Sequence, residues 1–206
     1  MPLAPVYLGE RIGYVIAKGG RRQIFARPPL SSPAAPSSGD FLSPSRLSFL
    51  MQEFPMTEAG NTLTLETTKG PVVIEMRPDL APGHVAHIKK LVEEKFYDGV
   101  VFHRVIDGFM AQTGCPHGTG TGGSKYPNIK AEFNAEPHVR GVVSMARAQD
   151  PNSANSQFFI VFNDARFLDK QYTVWGKVVS GMENVDKIKR GEPVRDPDKI
   201  ISAALS

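Results

Sequence analysis

The stretch from Val101 to Gly114, which reads VFHRVIDGFMAQTG, constrains the fold of this chain more than any other. Asp107-Gly108 is a turn signal between two short apolar segments, so the stretch predicts two strands around a tight bend. Arg104 is a charged residue within these apolar surroundings. Because an unpaired buried charge is costly, its side chain either forms an ion pair or opens onto a cavity whose chemistry needs it. The sequence leaves both interpretations open at this point.

The composition is that of one globular domain with a sizeable core, since 41% of the 206 residues are hydrophobic and 22% are charged. The single cysteine, Cys115, excludes an internal disulfide and a cysteine-rich metal site, and it is typical of a reducing compartment. We interpret it as a small residue without a chemical role. The net charge of +3 does not indicate a nucleic-acid-binding face, because the excess of basic residues lies before residue 57.

Residues 1–56 differ from the remainder in composition. Arg27–Ser48 is rich in proline and serine and lacks periodicity, so it cannot bury enough apolar surface to offset the entropy of ordering. We predict that residues 1–56 are disordered and that residues 57–206 form the folded domain. The same composition suits an organelle-targeting segment, and Met51 or Met56 could instead be the natural start.

The predicted location is cytoplasmic, without membrane association. No uninterrupted apolar run reaches the roughly 18 residues that a transmembrane helix needs. Glu10 and Arg11 interrupt the first apolar stretch, which argues against a secretory signal.

Short β-rich segments separated by turn residues dominate the domain. The predicted strands are Thr62–Thr67, Val72–Met76, the two within Val101–Gly114, Val142–Ala146, Gln157–Phe162, Thr173–Val179 and Ile200–Leu205, and the predicted helices are Ala81–Lys95 and Met182–Lys189. Eight short strands with glycine-bearing turns favour a closed barrel whose ends are covered by the helices. Trp175 lies within one of these strands and is predicted to be a core residue.

The surroundings of Arg104 indicate a site for an extended peptide. Phe109, Met110 and Phe158-Phe159 offer a large apolar surface, and Gln112 and Gln157 offer amide groups. Amides can hold a peptide backbone while an apolar pocket receives a side chain.

Five blocks of sequence resemble the cyclophilin family of peptidyl-prolyl isomerases. They are FHRVIDGFMAQTG, GTGTGG, GVVSMARA, NSQFFI and FLDKQYTVWGKV, in that order, and the similarity spans about Leu63 to Ser206. The resemblance implies a mainly β fold, a closed eight-stranded antiparallel β-barrel capped by two α-helices. It also implies isomerisation of X–Pro bonds in peptides and folding proteins by a monomer that uses no cofactor.

The resemblance assigns roles to individual residues. Arg104 matches the catalytic arginine of the family. The positions that match peptide-binding residues are His103, Phe109, Met110, Gln112, Ala146, Arg147, Gln157, Phe159, Phe167, Leu168 and Tyr172. The expected partners are proline-containing peptides and unfolded protein clients, with no nucleic acid.

Three functions other than isomerisation are compatible with parts of the sequence. Gly118–Gly123 formally matches G-x-G-x-x-G, but Pro127 follows and no helical period begins, so a dinucleotide site is disfavoured and a loop beside the peptide site is preferred. A proline-peptide-binding module with little catalysis would use the same groove. A purely structural barrel would bind no proline peptide.

Phe167 distinguishes this chain from many cyclophilins, which carry a tryptophan at this point of the pocket. In the family that tryptophan donates a hydrogen bond to cyclosporin, whereas phenylalanine has no donor. We therefore expect weak cyclosporin binding, measured as inhibition of isomerase activity. An inhibition constant below the micromolar range would contradict this expectation.

Overall fold

Eight strands and two helices form the regular framework of residues 60–206, the part of the chain that the computed structural model describes. The strands are β1 (Thr62–Thr67), β2 (Gly70–Met76), β3 (Arg104–Ile106), β4 (Met110–Thr113), β5 (Val142–Met145), β6 (Phe158–Val161), β7 (Val174–Ser180) and β8 (Ile200–Leu205), and the helices are α1 (Pro82–Glu93) and α2 (Met182–Asp186). Every predicted strand is present; β1 and β8 have the predicted ends, and the other predicted ranges differ by one or two residues. The predictions for residues 1–56 lie outside the described residues.

The strands form one antiparallel sheet in the order β3-β4-β6-β5-β7-β2-β1-β8. The prediction of a closed barrel is not supported, because β3 and β8 are the two edges of this ladder. Backbone hydrogen bonds do join residues 99–102 to residues 198–200. This irregular segment precedes β3, and β3 itself pairs with no part of β8. The fold is therefore a mainly β, eight-stranded, curled open sheet with two helices.

Side-chain alternation along the central strands gives the sheet an apolar layer on each face. In β4 and β6, Ala111, Phe158 and Ile160 belong to the main core, whereas Met110 and Phe159 belong to a second cluster. Consecutive strand residues point to opposite faces, which explains how the Phe158-Phe159 pair serves both layers. The main core also contains Trp175, fully buried as predicted.

Helix α1 packs one apolar face on the sheet. Its buried residues are His84, Val85, Ile88, Leu91 and Val92, which recur at helical spacing. Pro82 occupies the first turn, where its missing N–H costs nothing. The helix ends before the predicted Lys95, because Lys95 adopts a left-handed backbone conformation with φ of 56°.

A residue far along the chain caps the first turn of α1. The Glu132 carboxylate accepts the backbone N–H groups of Gly83 and His84, both at 3.0 Å, and His84 Nδ1 donates to it at 2.6 Å. Burial alone would raise the pKa of Glu132, but the His84 ring and these N–H groups outweigh burial and hold that pKa below its usual range. Burial lowers the pKa of His84, and the hydrogen bond and charge of Glu132 oppose that shift only in part.

Helix α2 is shorter than the predicted Met182–Lys189. The carboxylate of Asp198 accepts the backbone N–H of Lys189 at 2.9 Å, and this bond replaces the helical one that would otherwise continue α2. The chain then runs beside β3. Val105 and Gly191 exchange two backbone hydrogen bonds of 2.8 Å, and Val194 N–H donates to the carbonyl of His103 at 3.1 Å. We call Arg190–Val194 the edge segment, because it covers the free edge of β3.

Replacement of Glu132 by alanine tests the cap of α1. We expect Glu132→Ala to lower the free energy of unfolding by about 1–2 kcal/mol at neutral pH, because three donors lose their acceptor. A group whose pKa is depressed by folding stabilises the protein above its unfolded pKa and loses this effect as pH falls through the folded pKa. The difference from wild type should therefore shrink as the pH is lowered toward about 3.

The exposed Glu93 near the end of α1 provides a matched control. We expect Glu93→Ala to change the free energy of unfolding by less than about 0.5 kcal/mol, measured by urea denaturation. A Glu132→Ala variant as stable as the control would show that the cap does not contribute.

Candidate active site

The register of three neighbouring strands aligns Arg104, Gln112 and Phe159 in one row. Arg104 of β3 pairs with Gln112 of β4, and Gln112 pairs with Phe159 of β6. Residues directly opposite in antiparallel strands project from the same face. The row therefore brings a cation, an amide and an aromatic ring side by side, as the sequence predicted.

The guanidinium of Arg104 has two acceptors within the protein. Its Nε donates to Glu192 Oε1 at 2.5 Å, and its Nη1 donates to Gln112 Oε1 at 3.4 Å. The side chain of Arg104 is 21% exposed and that of Glu192 is 57% exposed. An ion pair, one of the two possibilities left open by the sequence, is thus present. It lies at the surface and does not bury the guanidinium against a carboxylate.

An apolar cluster lies beside this row on the same face of the sheet. Its buried members are Met110, Val142, Phe159, Val161, Ala165, Leu168 and Val174, and its partly buried members include Phe109, Ala146 and Tyr172. We call it the outer cluster. The edge of the Tyr172 ring packs on Phe159, with centroids 5.8 Å apart. Six residues predicted to bind the peptide are therefore brought together: Phe109, Met110, Ala146, Phe159, Leu168 and Tyr172.

Polar residues beneath Phe159 support this cluster. The ring of His138 lies nearly parallel to that of Phe159, with centroids 6.3 Å apart. His138 Nδ1 is 2.9 Å from Asp169 Oδ1, and its Nε2 is 3.1 Å from Ser144 Oγ. Serine, histidine and aspartate form catalytic triads elsewhere. Here Ser144 is fully buried and its hydroxyl also donates to the carbonyl of Thr173, so it is not placed to attack a substrate.

The two amides of the site are joined to each other and to the Gly-rich loop, Gly118–Lys125. Gln112 Nε2 donates to Gln157 Oε1 at 2.9 Å. Gln157 Nε2 in turn donates to the carbonyls of Gly120 and Gly122, at 2.9 and 2.8 Å. Both ends of the Gln157 amide are thus used within the protein. Its direct contact with a peptide stays a prediction, whereas its support of the loop is structural.

Cys115 has a role that the sequence analysis missed. Its sulfur accepts the backbone N–H groups of Gly120 and Gly122, both at 3.3 Å. Burial alone would raise the pKa of the Cys115 thiol, but the N–H donors of the loop outweigh burial and lower that pKa. The residue is therefore an anchor of the Gly-rich loop. Only its position just before the loop could have suggested this.

Three predicted residues, Phe167, Arg147 and His103, lie outside the outer cluster, and the first two contact its members. Phe167 is 61% exposed and its ring rests against Phe109, with centroids 5.4 Å apart. The guanidinium of Arg147 stacks on Tyr172 at 4.6 Å and donates to the carbonyls of nearby loop residues. His103 is buried, and burial lowers its pKa. Its direct contact with a peptide stays a prediction.

Residues 60–206 contain no group of three or more histidine, cysteine, aspartate or glutamate residues that could hold a metal ion. Within the same residues, no helix is both long and apolar enough to span a bilayer.

Comparison with known proteins identifies the family. Residues 62–205 match the family model described as cyclophilin type peptidyl-prolyl cis-trans isomerase/CLD. A probable peptidyl-prolyl cis-trans isomerase of Brucella suis is 59% identical over 171 residues, covering 75% of this chain and 87% of that relative. Peptidyl-prolyl cis-trans isomerase B of Bacillus subtilis is 46% identical over 127 residues, covering 61% and 87%.

Solved structures agree with this assignment. The crystal structure of a cyclophilin from Hirschia baltica has a TM-score of 0.66 at 34% identity, covering 71% of this chain and 74% of that one. A Cryptosporidium parvum cyclophilin crystallised in the presence of the dipeptide Ala-Pro also has a TM-score of 0.66, at 26% identity, covering 70% and 98%. The chain belongs to the cyclophilin family, and it is a peptidyl-prolyl cis–trans isomerase.

Replacement of Gln157 by glutamate tests the support of the Gly-rich loop. A carboxylate oxygen would face the carbonyls of Gly120 and Gly122 where an amide donor now binds them. We expect Gln157→Glu to lower the free energy of unfolding by about 1–3 kcal/mol. It should also accelerate hydrogen exchange at the amides of these two glycines. The exposed Gln149 is the control, and Gln149→Glu should change neither quantity. Unchanged exchange in Gln157→Glu would argue against the tether.

Proposed function

We propose that this isomerase acts on X–Pro bonds in extended peptide segments, and that Arg104 stabilises the twisted imide while the bond rotates. The observation that best supports this is the position of Arg104 in the row with Gln112 and Phe159, beside the outer cluster. A proline ring held on Phe159 would bring the imide nitrogen within the range of the guanidinium.

The chemistry of rotation explains why a hydrogen-bond donor suffices. Resonance gives the peptide bond a rotation barrier of about 18–20 kcal/mol. For X–Pro the two isomers lie close in energy, yet they exchange only over tens to hundreds of seconds. At the twisted state the imide nitrogen becomes pyramidal and regains its lone pair. A cationic donor stabilises that state more than the planar one, which is differential binding of the transition state.

The free side of the Arg104 guanidinium supports its role as this donor. Nε and Nη1 are occupied by Glu192 and Gln112. Within residues 60–206, Nη2 has no acceptor at hydrogen-bond distance, so its N–H groups are available to a substrate. Arginine remains charged at every physiological pH and presents its donors in a rigid plane.

The outer cluster supports proline as the recognised residue. Its buried surface, formed by Met110, Phe159 and Leu168, is apolar and partly walled by aromatic rings. The Cryptosporidium parvum relative crystallised in the presence of Ala-Pro favours small proline peptides as ligands here too. We propose unfolded protein segments as the larger substrates and a monomer as the active form.

Replacement of Arg104 by alanine tests this mechanism. We expect kcat to fall by about 10²–10³, because a preorganised donor to the transition state is lost. KM should change little, because the outer cluster that holds the ring is intact. The measurement is isomerisation of an Ala-Pro peptide in a protease-free assay. Arg104→Lys should recover only part of the rate, because lysine lacks the planar fork.

Arg195 provides the matched control, since it is exposed and lies just beyond the edge segment. Arg195→Ala should retain wild-type kcat. An Arg104→Ala enzyme as fast as wild type would contradict the mechanism. Peptide binding without measurable isomerisation by the wild type would favour the alternative of a binding module.

A further inference from the structure

Glu192 reaches Arg104 from a distant part of the chain because the edge segment pairs with β3. The two backbone hydrogen bonds between Val105 and Gly191, each 2.8 Å, place the residue after Gly191 beside the residue before Val105. The Arg190 guanidinium also contacts the hairpin formed by β3 and β4, since its Nε donates to Asp107 Oδ1, in the turn between these strands, at 3.1 Å. The backbone thus places Glu192 beside Arg104, within reach of its guanidinium.

The two acceptors of Arg104 are arranged so that they determine the plane of its guanidinium. Glu192 Oε1 binds Nε, and Gln112 Oε1 binds Nη1. A planar group bound at two of its nitrogens cannot rotate about its long axis without breaking a hydrogen bond. The third nitrogen, Nη2, then points in a defined direction. Glu192 supplies the shorter of the two bonds, 2.5 Å against 3.4 Å, and it is charge-assisted.

We propose that Glu192 is a positioning residue, which holds the Arg104 guanidinium in the orientation that donates to the twisted imide. This inference rests on the proposed role of Arg104. Glu192 acts through the arginine and does not itself contact the reacting bond. An arginine side chain has many rotamers, and holding one of them before the substrate binds removes an entropic cost from the transition state.

The Glu192 carboxylate also partly neutralises the positive charge of Arg104. This neutralisation would weaken the effect of Arg104 on the transition state. Exposure decides between these two effects. Glu192 is 57% exposed, so water screens its charge, whereas the direction of the hydrogen bond is unaffected by screening. Orientation is therefore the larger contribution, and loss of Glu192 lowers the rate.

Kinetics of Glu192 variants test the proposal. We expect Glu192→Ala to lower kcat about three- to tenfold, with KM for an Ala-Pro peptide within about twofold of wild type. Glu192→Gln retains an acceptor at the same length and should keep kcat within about threefold of wild type. Because Glu192 is exposed, both variants should unfold at nearly the wild-type temperature. Asp107→Asn is the control, since it removes another ion pair of the same hairpin without touching Arg104, and it should leave kcat unchanged.

A double-mutant cycle separates positioning from a general structural effect. With Arg104→Ala already present, Glu192→Ala should change the residual rate by less than about twofold, because nothing remains to be oriented. An equal loss in both backgrounds would overturn the proposal, as would wild-type kcat in Glu192→Ala or a change confined to KM. If Arg104→Ala is itself fully active, the proposed function fails. If Arg104→Ala is impaired but Glu192→Ala is fully active, the proposed function stands and this inference fails.

Discussion

The pairing register of β3, β4 and β6 is the constraint on which the rest of the site depends. Side chains alternate between the two faces of a sheet, so a slip of one residue would exchange every inward and outward position. In β4, such a slip would bring Ala111 to the face that carries the outer cluster and would carry Gln112 into the main core. The apolar layers on both faces favour this register, because Met110 lies in the outer cluster and Ala111 in the main core. Stability and catalytic geometry thus have the same origin.

The elements of the fold and most of the site could be predicted from the sequence. The Asp107-Gly108 turn and the apolar runs around it identify β3 and β4, and short β-rich segments between turn residues identify the other strands. The prediction of a closed barrel was not supported, because the local pattern of residues shows that strands exist but does not show which strand edges pair. Residues 99–102 approach residues 198–200 through irregular backbone, for which no side-chain period exists.

Contacts made by loop residues account for what the sequence could not show. Glu192 lies 88 positions from Arg104, in a segment of turn residues that carries no motif. Cys115 was interpreted as inert because its residue type suggests no structural role, yet its sulfur accepts two backbone N–H groups of the Gly-rich loop. The loop itself was recognisable by its glycines. Its attachment through Gln157 depends on carbonyls, which every residue has and no sequence pattern reveals.

The edge segment has a consequence for the behaviour of the protein in concentrated solution. A free strand edge presents unpaired backbone groups to which another chain can add by β-pairing, a common route to aggregation. Gly191 occupies these groups on Val105, and Val194 occupies the carbonyl of His103. The same five residues that carry Glu192 to Arg104 thus shield β3, one of the two edge strands of the sheet. Loosening of this segment would weaken protection from self-association together with the geometry of the guanidinium, so one local opening would link the two properties.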